Sequence, residues 1–149
     1  MTFSELMVQL GMETKLDLAA ATQAGGCTIQ FAEKLEIVFE SDDDTGILQM
    51  YIAIAQAPAS NRENFFSALL QLHLFGLATD GAFFGFDPAL DRVLFFKTLP
   101  LSLLDPTGAL EQVESFVNQA ERWRDRLVDV VATMTPAAAS SANLPIARA

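Results

Sequence analysis

Cys27 and His73 are the two side chains most suited to nucleophilic or acid–base chemistry, and each is the only residue of its type. A Ser-His-Asp or Cys-His arrangement would need His73 as its base. However, His73 lies inside the apolar run Leu72–Phe75, which favours a partly buried or interface histidine. Cys27 follows two glycines at the start of a strand pattern and is typical of a small buried residue. The sequence therefore predicts no catalytic residues and a protein that is not an enzyme.

The acidic residues offer equally little chemistry. Glu36 and Glu40 share one strand face, where a paired-carboxylate site is conceivable, but two solvated acids are the simpler interpretation. The run Asp42–Asp44 lacks the spaced ligands and terminal Glu of a calcium loop. One cysteine and one histidine exclude an internal disulfide and a clustered zinc site. We therefore expect neither a metal nor a cofactor.

Size and charge restrict the partners. The chain has 149 residues, of which 51% are hydrophobic, and this predicts one folded domain over residues 1–134 and a disordered Ala/Ser/Pro tail over residues 135–149. The net charge of −10 argues against nucleic acid and anionic membranes as partners. The sequence has no apolar run of about 20 residues, which excludes membrane insertion by a helix. The N-terminus does not resemble a secretory signal, so a cytoplasmic protein is expected.

Hydrophobic periodicity predicts an α+β fold with an antiparallel five-stranded sheet and three helices, in the order α-β-β-β-α-β-β-α. Thr2-x-x-Glu5 is a capping box that begins the first helix, which we expect to end near Leu10 with Gly11 as its stop. Ser60-x-x-Glu63 is a second capping box, followed by an apolar pattern that reaches Leu77. The last helix is expected to begin at Asp105-Pro106. Its apolar stripe comprises Val113, Phe116, Ala120, Trp123, Leu127, Val130 and Met134.

The sequence contains more apolar surface than one small domain readily covers. There are 12 Phe residues, and the predicted second helix is apolar on more than one face. Such a helix must be covered on more than one side, and a second copy of the chain is one possible cover. The alternative is an ordinary core, which remains open for Ile29, Ile37, Ile52 and Leu94.

Several local patterns resemble those of the class I type III secretion chaperones, the Tir-chaperone-like family. The resemblance covers residues 2–130. It rests on Leu10-Gly11-Met12, on Gly26-Cys27-Thr28-Ile29, on Arg62-Glu63 through Leu69–Leu74, on Gly85-Phe86-Asp87-Pro88, on Leu99-Pro100-Leu101 and on Phe116-x6-Trp123-Arg124. The sequence departs from the family where His73 or Leu74 replaces a frequent Asn, and in its Ala-rich tail.

This resemblance implies an ATP-independent homodimeric chaperone of the bacterial cytoplasm that holds the N-terminal segment of a secreted effector extended and competent for secretion. Grooves made by the first helix and the sheet are expected to bind the effector, and the second helix with the adjacent short strand is expected to form the dimer. The effector-binding candidates are Phe3, Leu6, Met7, Leu10, Ile29, Phe31, Ile37 and Phe39. The dimer candidates are Leu69, Leu72, Leu74, Phe75, Phe83 and Phe84.

Two alternatives remain beside this interpretation. One is a protein of the same fold that sequesters a secretion regulator, and the other is an enzyme with a small-molecule pocket between the sheet and the long helix. The outward face of each strand is also open, because a shift of one residue exchanges the two faces. On the chaperone interpretation, Leu6→Glu is expected to abolish effector binding and to leave the fold intact.

Overall fold

The computed structural model describes residues 1–133 and Ala147. The predicted tail, residues 135–149, lies outside the described residues except for Ala147, and the stripe residues Val130 and Met134 lie outside the described side chains. The elements are α1 (Phe3–Thr14), α2 (Ala19–Ala24), β1 (Gly26–Gln30), β2 (Glu36–Asp42), β3 (Ile47–Gln56), α3 (Arg62–Leu72), β4 (Phe83–Asp87), β5 (Arg92–Pro100) and α4 (Pro106–Thr133).

The five strands form one antiparallel sheet in the order β1-β2-β3-β5-β4. This confirms the predicted fold class and element order. Strand β5 returns to pair with β3, and β4 pairs only with β5. Strands β1 and β4 are therefore the two edges of the sheet in the described part of the chain.

One face of the sheet carries the core. Strands β2 and β3 alternate buried and exposed side chains, so the predicted period of two is confirmed. The stripe of α4 packs on this face, where Phe116 stacks on Phe95 with ring centroids 5.4 Å apart. Ile29, Ile37 and Ile52 belong to the core, whereas Leu94 is only partly buried. The strand register thus assigns the predicted apolar set to the helix side of the sheet.

Helix α1 begins as predicted and ends later. The Thr2 side chain accepts a hydrogen bond from the backbone N–H of Glu5, and the Glu5 carboxylate accepts one from the backbone N–H of Thr2. The prediction that Gly11 stops the helix is wrong, because the left-handed residue is Lys15, with φ 59°. Gly11 serves a close approach instead: a Cβ there would lie 2.9 Å from the Leu16 carbonyl oxygen.

The ends of α3 also differ from prediction. The helix begins after Asn61, which makes no side-chain cap, so Ser60-x-x-Glu63 does not act as a capping box. It ends at Leu72, and a short 3-10 turn follows with Phe75 at φ 61°. Leu74, Phe75 and Leu77 therefore lie outside the helix that was expected to carry them. The six-residue helix α2 was not predicted, because its composition is small and weakly apolar.

We predict that Leu6→Ala lowers the free energy of unfolding by about 2–5 kcal/mol, because Leu6 is fully buried in the hydrophobic core. Val8→Ala on the same helix is the control, since Val8 is largely exposed and its truncation should cost less than about 0.5 kcal/mol. Urea unfolding followed by circular dichroism measures both values. Equal losses of stability in the two variants would contradict the assignment of Leu6 to the core.

The burial of Leu6 also changes the expectation for Leu6→Glu. A buried charge at this position should unfold the chain, so the fold is not expected to stay intact.

Candidate binding surfaces

Cys27 and His73 lie at opposite edges of the sheet, so they cannot form a nucleophile–base pair. Four strand spacings, or roughly 19 Å, separate β1 from β4. Cys27 lies beside Met7, with 3.6 Å between the two sulfurs, and burial raises the pKa of its thiol. His73 Nδ1 accepts a hydrogen bond of 2.8 Å from the backbone N–H of Phe84, and burial lowers the pKa of its imidazole. The contacts of Cys27 and His73 therefore indicate structural roles in the fold.

The acidic residues singled out by the sequence are also structural. The Tyr51 hydroxyl donates to the Glu40 carboxylate over 2.7 Å. Asp42 Oδ1 accepts from the backbone N–H groups of Asp44 and Thr45, which closes the turn between β2 and β3. Among the described residues, no group of three or more His, Cys, Asp or Glu side chains could hold a metal ion.

The predicted effector-binding residues lie mostly inside the core. Phe3, Leu6, Met7, Leu10, Ile29, Ile37 and Phe39 are all buried, and Phe31 is partly buried. The expected groove between α1 and the sheet is filled by these side chains themselves. Three of the eight nevertheless border a cavity, as Leu10 and Phe31 line one beside α4, and Met7 lines one beside α2.

The predicted dimer residues divide between core and surface. Leu69 and Phe84 are buried, and Leu72 is partly buried. Leu74, Phe75 and Phe83 are exposed, and three neighbours that the sequence analysis did not select are exposed with them. We call this set the α3–β4 surface: Leu70, Leu74, Phe75, Leu77, Phe83 and Phe86. Phe75 and Leu77 are the extreme cases, each 85% exposed.

The α3–β4 surface is held in place by contacts between α3 and the edge strand. Phe66 of α3 packs on Phe86 of β4 with ring centroids 4.9 Å apart. The Arg62 guanidinium lies 5.4 Å from both ring centroids and pairs with Asp91 at 2.8 Å. His73 fastens the far end of α3 to Phe84. These contacts fix the position of α3 relative to β4, and the exposed apolar side chains lie on the outside of this pair. Phe75 has a left-handed backbone conformation that is unfavourable for a bulky residue.

A groove of about 460 Å³ runs between α1 and α4, and we call it the α1–α4 groove. Its apolar lining comprises Leu10, Phe31, Leu110, Val113 and Val117. Its polar lining comprises Glu13, Thr14, Thr107, Glu111 and Glu114. The groove combines an apolar floor with an acidic rim, which suits a peptide side chain better than it suits catalysis.

A second groove, of about 370 Å³, lies on the other side of α1, and we call it the α1–α2 groove. Val8, Met12 and Leu16 line it and are all exposed. These three residues fall outside the Phe3–Leu10 stripe and were therefore not among the predicted binding residues. The spacing of four residues between Val8 and Met12 was the available signal for a second apolar face on the first helix, and Leu16 follows beyond its end.

The sequence matches a known family, the Tir chaperone protein (CesT) family, over residues 5–124. The chain belongs to the CesT family. Membership confirms the resemblance to class I type III secretion chaperones and identifies a family of chaperones, not of enzymes. No curated protein matches the sequence significantly. Within the described residues, no helix of this CesT-family chain is long and apolar enough to cross a membrane.

Solved structures show the same fold. A chain of the ExsC–ExsE complex superposes with a TM-score of 0.65 at 15% identity, over 85% of this chain and 97% of that one. A chain of the ExoU–SpcU complex from the type III secretion system of Pseudomonas aeruginosa superposes with a TM-score of 0.65 at 17% identity, over 83% and 95%. A chain of the ExoT–SpcS complex from Pseudomonas aeruginosa superposes with a TM-score of 0.55 at 22% identity, over 78% of this chain and 92% of that one. At these identities the likeness concerns the fold.

We predict that the free energy of unfolding falls as the pH drops from about 7.5 to about 5.5 and that His73→Asn removes this fall. Burial lowers the pKa of His73 from 6.5, so its neutral form stabilises the fold above that pH, and the stabilisation is lost as the pH falls through the folded-state pKa. Protonated Nδ1 can no longer accept from Phe84, whereas the Asn oxygen still can. Urea unfolding at both pH values measures this, and equal slopes for the two proteins would refute it.

Proposed function

We propose that this protein is an ATP-independent chaperone of bacterial type III secretion that works as a homodimer in the cytoplasm. It binds the N-terminal segment of a secreted effector and keeps that segment extended. The observation that carries the proposal is a CesT-family fold whose apolar side chains remain uncovered in two separate regions, one along α1 and one along α3 and β4. Contiguous apolar surface of this kind is typical of partner binding.

The α3–β4 surface is the proposed dimer interface. It combines exposed aromatic and aliphatic side chains of α3, of the turn after it and of β4, and contacts of Arg62 and His73 hold α3 against β4. An apolar patch of this kind can pair with the same patch of a second copy about a two-fold axis. Burial of apolar area stabilises such a pair by about 25 cal/mol per Å². Pairing would cover Phe75 and Leu77, which are each 85% exposed in the described part of the chain.

The two grooves that flank α1 are the proposed effector-binding region. Each offers an apolar lining, and both are reached from the same helix, so one extended segment can place side chains on either side of α1. The unpaired edge of β1 offers backbone groups that can pair with an added strand. Binding through such contacts needs no nucleotide, because hydrophobic burial and strand pairing supply the free energy.

We expect Phe75→Asp to convert the dimer to a monomer without loss of folding. The substitution places a charge in the proposed interface, and Asp tolerates a left-handed backbone better than Phe does. Leu103→Asp is the control, because Leu103 is equally accessible but lies outside the α3–β4 surface. Sedimentation equilibrium measures the mass. A fully dimeric Phe75→Asp protein would place the interface elsewhere, and a wild-type monomer would remove the homodimer from the proposal.

The client is identified by mass spectrometry of what co-purifies from the host, and its protected segment by limited proteolysis. We expect Met12→Asp to weaken binding of that purified client at least tenfold, because Met12 lines the α1–α2 groove. Leu90→Asp is the matched control, since Leu90 is similarly exposed in the β4–β5 turn. Isothermal titration calorimetry measures both. Unchanged affinity in Met12→Asp would refute this groove, and a bound regulator in place of an effector would favour sequestration as the function.

A further inference from the structure

We infer that the α1–α4 groove selects a client segment in which bulky apolar residues are flanked on both sides by Lys or Arg. This inference rests on the proposed function and adds the chemistry of the segment that the groove recognises. It is carried by the juxtaposition of an apolar floor with carboxylates that have no partner among the described residues.

The floor is suited to apolar side chains of a peptide. Leu110, Val113 and Val117 recur on one face of α4, and Leu10 of α1 faces them across the groove. Phe31, which follows β1, contributes an aromatic ring to the same lining. A volume of about 460 Å³ falls within the range of roughly 300–1,000 Å³ that is usual for ligand sites. The groove can therefore accept several apolar side chains.

The rim supplies charge on both sides of this floor. Glu13 belongs to α1, whereas Glu111 and Glu114 belong to α4, and all three are exposed. In the described part of the chain, none of the three carboxylates makes a hydrogen bond or an ion pair, and no Lys or Arg lines the groove. Three like charges around one apolar groove repel one another, and cationic side chains of a ligand would relieve this repulsion.

The other apolar regions lack such a rim. The α1–α2 groove has Asp17 as the single acid in its lining. A third groove runs along α3, where Phe66, Leu70 and Leu74 line it, and Glu63 is the single acid there. The concentration of carboxylates is therefore a property of the α1–α4 groove and not of every apolar surface on this acidic protein. An exposed ion pair typically raises affinity between about 1.4-fold and about fivefold, so three pairs together should contribute about tenfold.

The test uses the full-length protein and three fluorescein-labelled peptides that share a central Leu-Ile-Leu anchor. The peptides carry Lys, Gln or Glu at two positions on each side of the anchor, and fluorescence anisotropy gives their dissociation constants. We expect the Lys peptide to bind about tenfold more tightly than the Gln peptide, and the Glu peptide to bind most weakly. Raising NaCl from about 50 mM to about 500 mM should remove most of the difference, because the rim is exposed to solvent.

The charge variants separate the groove from the net charge. Glu13→Gln, Glu111→Gln and Glu114→Gln together should abolish the preference for the Lys peptide. The control replaces Asp42, Asp43 and Asp44 with Asn, which removes the same three charges at the β2–β3 turn and keeps the oxygen that accepts the turn hydrogen bonds. This control should keep the preference.

Two outcomes overturn the inference and can be told apart from failure of the proposed function. Equal binding of the Lys and Gln peptides, or equal loss of preference in the two triple variants, refutes recognition of basic flanks. The groove still binds clients in that case if Leu110→Asp, a change at a partly exposed site on the floor, abolishes binding of both peptides. If no peptide binds and Leu110→Asp leaves the affinity for the purified client unchanged, both the inference and the groove's role in the proposed function fail.

Discussion

The fold depends on the contact between α4 and one of the two faces of the sheet. Phe116 of α4 stacks on Phe95 of β5, and Trp123 meets Phe84 edge-on at 5.8 Å. A helix with a single apolar stripe covers a single sheet face, and α1 fills what α4 leaves of that face. Helix α3 contributes Phe65 and Leu69 to the same core and packs on β4 through Phe66 and Arg62. Its outward side chains, such as Leu70, stay exposed in the described part of the chain.

The parts of the fold that local rules determine could be predicted from the sequence. The strand faces follow from period-two alternation, and the starts of α1 and α4 follow from capping by Thr2 and Asp105. The ends of α1 and α3 could not be predicted, because non-glycine residues stop both helices. Lys15 adopts a left-handed conformation, and Phe75 does so just beyond α3. Residue preference opposes both conformations. At Lys15 the backbone N–H donates to the Gly11 carbonyl and closes the helix as a left-handed cap, which the residue type does not indicate.

The sequence predicted more apolar side chains than one domain covers, but it did not show which of these side chains are exposed. A stripe such as Phe3–Leu10 has the same spacing whether it fills a core or lines a groove, because periodicity shows that a face is apolar and not what covers it. The break after Leu72 decides the exposure of the residues beyond it, Leu74, Phe75 and Leu77. Within the helix, periodicity does not show which side is covered. Leu69 and Leu70 are neighbours in sequence, yet one is buried and the other is on the surface. The exposure of Leu77 follows from the turn, which no helical pattern could indicate.

Charge also separates the apolar surfaces by partner. The α1–α4 groove carries three carboxylates that are unpaired among the described residues, whereas the groove along α3 carries Glu63 alone. Two copies of the chain that approached each other through acidic grooves would repel, but the nearly uncharged α3–β4 surface imposes no such penalty. The net charge of −10 keeps an apolar-surfaced protein dispersed and opposes the approach of two copies, and this penalty is smallest where the approaching surface carries little charge, as at α3 and β4. It leaves the groove beside α1 open to a partner of opposite charge.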